Sequence, residues 1–126
     1  MKKLIAVLAI AAIAVSAFAG EFADISVKEV NELTKTKKAV IIDVNGSESF
    51  KKGHVPGALD YAAIKGDLAS KLPSDKDALI VAYCGGPKCQ AYQAAAKAAT
   101  KLGYKNVKHM SAGISGWKEA GQTLEK

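Results

Sequence analysis

The segment from Ala78 to Leu102 constrains the fold more than any other part of the chain. Ala78 to Tyr83 is apolar without interruption, the pattern of a strand buried on both faces. Gln90 to Leu102 is alanine-rich and places Lys97 and Lys101 four residues apart, which predicts a helix. Cys84 to Cys89 between them holds Gly85, Gly86 and Pro87, a tight loop. A strand that ends in a thiol and turns through a short loop into a helix can aim several backbone N–H groups at one spot. Such a spot carries partial positive charge and favours a thiolate or an oxyanion. Cys84 at the strand–loop junction is therefore read as a nucleophile with a lowered pKa, rather than as an inert buried thiol.

The rest of the chain alternates strand and helix patterns. Glu21 to Ile25 reads as a short first strand. Ser26 and Glu29 have the spacing of a capping box, opening a helix that faces inward with Val27, Val30 and Leu33 and fades near Lys37. Ala39 to Val44 is a second apolar run; its one charge, Asp43, lies near the carboxyl end, where open α/β sheets place ligand sites. Asn45 to Lys52 reads as a loop or short helix, and Gly53 to Ala58 is dense in turn residues. Leu59 to Ala63 reads as a short strand, and Asp67 to Leu72 as a helical turn stopped by Pro73. Gly103 is placed to end the long helix. Asn106 to Met110 reads as the last strand, and Ile114 to Ala120 as a final helix around Trp117. This order predicts one α/β domain with a parallel sheet covered by helices on both faces.

The first nineteen residues read differently. Lys2 and Lys3 precede an unbroken apolar run, Leu4 to Val15, and Ala17 and Ala19 stand where a signal peptidase requires small residues. The run is shorter than the roughly 20 residues that span a bilayer, so residues 1–19 are expected to be a cleaved signal peptide, with the domain over 20–126 and no lasting membrane insertion. A periplasmic or secreted location follows. The net charge of +6 comes entirely from lysine, for the chain contains no arginine. Scattered lysines without arginine or interleaved aromatics argue against nucleic acid. The two cysteines enclose only four residues, so a disulfide between them would restrain little of the unfolded chain. With only His54 and His109 as further nitrogen ligands, they lack zinc spacing, and no metal is expected.

Five stretches resemble, in order and spacing, a single-domain rhodanese of the sulfurtransferase type. They are Ile41 to Val44, Gly53 to Ala58, Val81 to Cys84, Leu102 to Val107, and Ala112-Gly113 followed by Trp117 to Gly121. The resemblance covers essentially all of the chain after the leader. It implies a three-layer domain with a parallel sheet of about five strands. It also implies a loop cysteine, Cys84 by position, that accepts a sulfane sulfur as a persulfide and passes it to a thiophilic acceptor. The expected partners are a small sulfur-donor anion, a thiol or cyanide-like acceptor and a sulfur-accepting protein; no cofactor is implied, and the expected state is a monomer. The loop Gly85, Gly86, Pro87, Lys88, Cys89 and Gln90 becomes the substrate-binding segment.

Three departures stand out. Cys89 replaces the arginine that closes the loop in many members, Asn45 follows Asp43-Val44 where many have arginine, and Pro87 removes one amide donor. The lost arginines would have bound an oxyanion bidentately, which weakens thiosulfate as the natural donor and leaves Lys88 as the loop's one formal charge. The alternative function is a rhodanese-like module that carries sulfur, or a metal such as Cu(I), with little or no catalysis. For Cys89 two readings stand side by side, a resolving thiol and a packing residue. Asp43 is expected to tie down the neighbouring loop by accepting N–H bonds, and His54 to be structural support. His109 is assigned to its strand and Trp117 to the core.

Overall fold

The computed structural model describes residues 22–126. The expected signal peptide, and the Glu21 start of the first strand, lie outside the described residues.

The elements in chain order are β1 (Ala23–Asp24), α1 (Val27–Thr36), β2 (Ala39–Asp43), α2 (Ser47–Lys52), β3 (Leu59–Asp60), α3 (Tyr61–Ile64), a 3-10 turn (Lys65–Asp67), α4 (Leu68–Lys71), β4 (Leu79–Tyr83), α5 (Tyr92–Lys101), β5 (Asn106–His109) and α6 (Gly113–Glu119). The strands form one sheet in the order β1-β5-β4-β2-β3. Every pairing is parallel, and β4 lies at the centre between β2 and β5. Parallel neighbours need crossover connections, and here helices supply them on both faces.

The period-two alternation of strand side chains divides the interior into two cores. Ile42, Ile80, Ala82 and Cys84 face one side, where they pack with Leu68, Leu72, Tyr92, Ala95, Ala96, Ala99 and Tyr104. Ile41, Val81 and Tyr83 face the other, with Val30, Val55, Met110 and Trp117. The alanine face of α5 lets that helix lie close on the sheet, with Ala95, Ala96 and Ala99 fully buried. Trp117 is fully buried in the opposite core, and its Nε1–H donates to the Thr123 carbonyl at 2.8 Å. An indole can be buried at this depth only because its polar edge finds such a partner.

The expected capping box is complete. Glu29 N–H donates to Ser26 Oγ at 3.0 Å, and Ser26 N–H to Glu29 Oε1 at 3.2 Å, a cap worth about 1 kcal/mol. Several boundaries shift by one residue, and two shift further near the site. The strand expected over Leu59 to Ala63 stops at Asp60, because Asp60 Oδ1 accepts the Ala62 N–H at 3.1 Å and starts α3 instead. The helix expected from Gln90 begins at Tyr92, so two more residues belong to the cysteine loop.

Candidate active site

The loop after β4 has two differently built halves. Cys84 continues the alternation of the strand and is 1% exposed. Its carbonyl accepts the Ile114 N–H at 2.9 Å, and the Gly85 carbonyl accepts the Ser115 N–H at 3.0 Å. The first turn of α6 thus grips the start of the loop with amides that have no partner inside their own helix. Gly113 makes this approach sterically feasible. It has φ +64°, and a Cβ there would stand 2.6 Å from Gly85 C and Gly86 N and 2.7 Å from the Cys84 oxygen. Only glycine accommodates both the conformation and the contact.

The second half projects outward. Cys89 N–H donates to the Gly86 carbonyl at 3.0 Å, closing a four-residue turn over Gly86, Pro87, Lys88 and Cys89. Proline at the second position of such a turn pre-sets its backbone. Pro87, Lys88 and Gln90 are exposed and Cys89 is half-buried. The Gln90 carboxamide oxygen accepts from Gln93 Nε2 at 2.6 Å, so this side chain is engaged with α5. The turn brings Cys89 back to Cys84, and the two form a disulfide with Cα atoms 6.3 Å apart. Among the described residues, Cys89 is the one loop residue between Gly85 and Gln90 whose N–H is bonded to a backbone carbonyl.

Beneath the loop runs a buried polar chain. Tyr83 Oη donates to Asp43 Oδ2 at 2.6 Å and accepts the Val55 N–H at 3.0 Å; Asp43 Oδ1 accepts the Asn45 N–H at 2.8 Å. Asp43 thus ties down the turn after β2, and through Tyr83 it also joins the ends of β2 and β4 to the Gly53–Ala58 turn. Burial pushes the Asp43 carboxyl above its ordinary value of 3.8, opposed by the Tyr83 hydroxyl and the Asn45 amide. Burial, and then Asp43 itself, push the Tyr83 phenol strongly upward, so it stays a donor at any physiological pH.

His54 is buried, and its ring nitrogens meet Phe50 and Glu125. Its ring stacks on Phe50 with centroids 3.6 Å apart, Nδ1 donates to the Phe50 carbonyl at 2.7 Å, and Nε2 lies 3.2 Å from Glu125 Oε1. The backbones of His54 and Glu125 also pair in a two-way bridge, at 2.9 and 2.8 Å. His109 ends β5 and stacks on Tyr92 with centroids 3.4 Å apart. Its buried Nε2 has no partner among the described residues, and burial lowers its pKa.

Asp43, Cys84, Cys89 and Gly85 to Gln90 are therefore gathered at the carboxyl ends of β2 and β4, and His54 is held in the adjoining turn. Three contributors escaped the sequence reading. Tyr83 looked like one more apolar strand residue, and Glu125 carried no signal at all. Gly113 stood in a quoted stretch but was given no role of its own. No group of three or more His, Cys, Asp or Glu side chains converges among the described residues. Chemically, the site holds a buried cysteine and a half-buried one whose disulfide can be reduced to a dithiol by two electrons.

Comparison with known proteins places this geometry. A family profile for the rhodanese-like domain matches residues 26–120. An uncharacterized protein of Escherichia coli, YibN, is 31% identical over 99 residues, 76% of this chain and 66% of that protein, so the chain spans slightly less than two thirds of that relative's length. The thiosulfate sulfurtransferase GlpE of Pseudoalteromonas translucida is 32% identical over 101 residues, 79% of this chain and 91% of that one. Among solved structures, the fold matches a thiosulfate sulfurtransferase from Pseudomonas aeruginosa with a TM-score of 0.68 at 21% identity, over 82% of this chain and 20% of that chain. A human single-domain sulfurtransferase matches with a TM-score of 0.57 at 24% identity, over 76% and 95%. The parallel five-stranded sheet, the loop after its central strand and the match over residues 26–120 together make this chain a member of the rhodanese-like domain family.

Proposed function

We propose that the protein is an exported sulfurtransferase that works through a persulfide on Cys84. The observation that carries the reading is the placement of Cys84 at the carboxyl end of the central strand, inside a loop whose first half is held fast by α6. In the reduced form, the Cys84 thiolate attacks the sulfane sulfur of a donor. A new S–S bond forms on Cys84 and the donor's own bond to that sulfur breaks, its electron pair leaving with the donor anion, sulfite in the case of thiosulfate. A thiophilic acceptor, a thiol or cyanide-like nucleophile or a protein thiol, then takes the outer sulfur and Cys84 leaves as thiolate. The N–H groups of Gly85, Gly86, Lys88 and Gln90 are the donors on hand to stabilise these anions. Without arginine in the loop, charge recognition falls to Lys88, which suits a polysulfide at least as well as thiosulfate.

The disulfide must be reduced before the first step, so the protein is tested pre-reduced. Intact mass after exposure to thiosulfate or to polysulfide should show a gain of one sulfur on wild type and none on Cys84→Ser. Wild type that gains no sulfur from either donor overturns the proposal. Export is read separately: N-terminal sequencing of protein from its native host should begin at Gly20, and a retained Met1 would remove the signal peptide from this account.

A further inference from the structure

We infer that Cys89 is the resolving thiol of a two-thiol cycle, so that the site reduces sulfane sulfur to sulfide and comes to rest as the Cys84–Cys89 disulfide. This rests on the Cys84 persulfide proposed above.

Three observations converge. The Gly86–Cys89 turn folds the second sulfur onto the first, with Cα atoms 6.3 Å apart and the disulfide formed. Cys89 therefore reaches Cys84 Sγ itself, which is the inner sulfur of a persulfide on that residue. The two sulfurs also differ in access, since Cys84 is 1% exposed and Cys89 half-buried. Finally, α6 anchors the nucleophile's end of the loop through the Cys84 and Gly85 carbonyls, whereas the second half carries the Gly86–Cys89 turn that presents the second thiol.

The chemistry then runs in three balanced steps. Cys84 thiolate takes the outer sulfur of thiosulfate and releases sulfite. Cys89 thiolate attacks Cys84 Sγ; the Cys84–Cys89 bond forms, the bond to the outer sulfur breaks, and hydrosulfide leaves with the electron pair. The cysteine pair has lost two electrons and the sulfane sulfur has gained them. An external low-molecular-weight thiol resets the site. Its first thiolate attacks the accessible Cys89 sulfur and expels Cys84 thiolate, and a second thiol resolves the mixed disulfide. The sum is thiosulfate plus two thiols giving sulfite, hydrosulfide, a proton and the thiol's disulfide. The carboxyl-terminal half of the loop thereby acquires a role that a single-cysteine sulfurtransferase does not need.

The test is a single turnover. Reduced protein, freed of thiol and kept anaerobic, receives one equivalent of thiosulfate, or of polysulfide if thiosulfate is not taken up. Wild type should release close to one equivalent of sulfide and finish as the Cys84–Cys89 disulfide by non-reducing peptide mapping. Cys89→Ser should keep its sulfur as a persulfide and release sulfide at least about tenfold more slowly, the modest end of what a tethered nucleophile gives. Equal persulfide lifetimes in the two proteins overturn the resolving role and leave the sulfurtransferase reading standing. Failure of both to take up sulfur removes both. Should Cys89→Ser fail to fold, wild type alone decides: a persulfide that persists with no disulfide formed overturns the inference.

Discussion

The two halves of the cysteine loop are joined by the disulfide but are built differently. Cys84 and Gly85 are built into the domain, with their carbonyls bonded to α6 and Gly113 pressed against them. Pro87, Lys88 and Gln90 face solvent, and the segment is shaped by its own turn bond, the disulfide and the contacts of Gln90 with Gln93. A nucleophile is useful when it stays in place, because a reacting atom displaced by an ångström loses much of its advantage. A resolving group is useful when it arrives and departs. On the proposed two-thiol cycle, the contrast in anchoring would be a division of labour within one short loop.

That contrast can be broken most severely at its fixed end. Gly113→Ala brings a methyl group within 2.7 Å of three backbone atoms of Cys84, Gly85 and Gly86. Strain and overpacking together should destabilise the fold by on the order of 3 kcal/mol. Chemical denaturation measures the loss, and an unchanged midpoint would show that the first half yields as easily as the second.

A smaller loss is expected one layer below. Tyr83→Phe leaves the Asp43 carboxylate and the Val55 N–H without their buried partner, at a cost of about 2 kcal/mol. Amide exchange at Val55 should accelerate in step with the global loss.

The exposed half should respond more gently. Pro87→Gly restores a donor but frees the turn, lowering stability of the oxidised form by about 0.5–1 kcal/mol and making the Cys84–Cys89 disulfide easier to reduce. Titration against a thiol redox buffer would show this. A shift as large as that from Gly113→Ala would erase the distinction between the halves.

The smallest effect is in pH. A carboxyl raised in the folded state contributes stability that is fully present below its unfolded value, near 3.8 for Asp43, and is lost as pH rises through the folded value. Glu125 works in the opposite sense, since the Gly57 N–H and then His54 hold its carboxylate low, so its contribution is lost as pH falls. Subtracting the acid stability profile of Asp43→Asn from that of wild type isolates the first term. A difference that rises with pH above 3.8 contradicts the sign.

The parts of the fold carried by short-range patterns were legible in the sequence. Ser26 and Glu29 announced their cap three residues apart, and the unbroken run Ala78 to Tyr83 announced the central strand. The error at Leu59 to Ala63 was also local: a run suitable for a strand was diverted by the Asp60 carboxylate reaching the Ala62 amide. The site was legible where chemistry shows in a residue type, as in two thiols flanking glycines and a proline. It was illegible where function depends on meeting a distant partner. Tyr83 reaches Asp43 across strands, Glu125 reaches back to His54, and Gly113 matters because Cys84 lies against it. None of these pairings leaves a periodicity in the chain.

The strand order has a consequence in time. Parallel strands cannot form as hairpins, and the central strand waits for neighbours that precede and follow it by whole helices. Ala23 of β1 pairs with Lys108 of β5, so among the described residues the first strand finds its neighbour near the far end of the chain. Such non-local closure slows folding and leaves the nascent polypeptide open until synthesis is nearly complete. For an exported protein, as proposed above, that delay would keep the chain threadable until it has crossed the membrane.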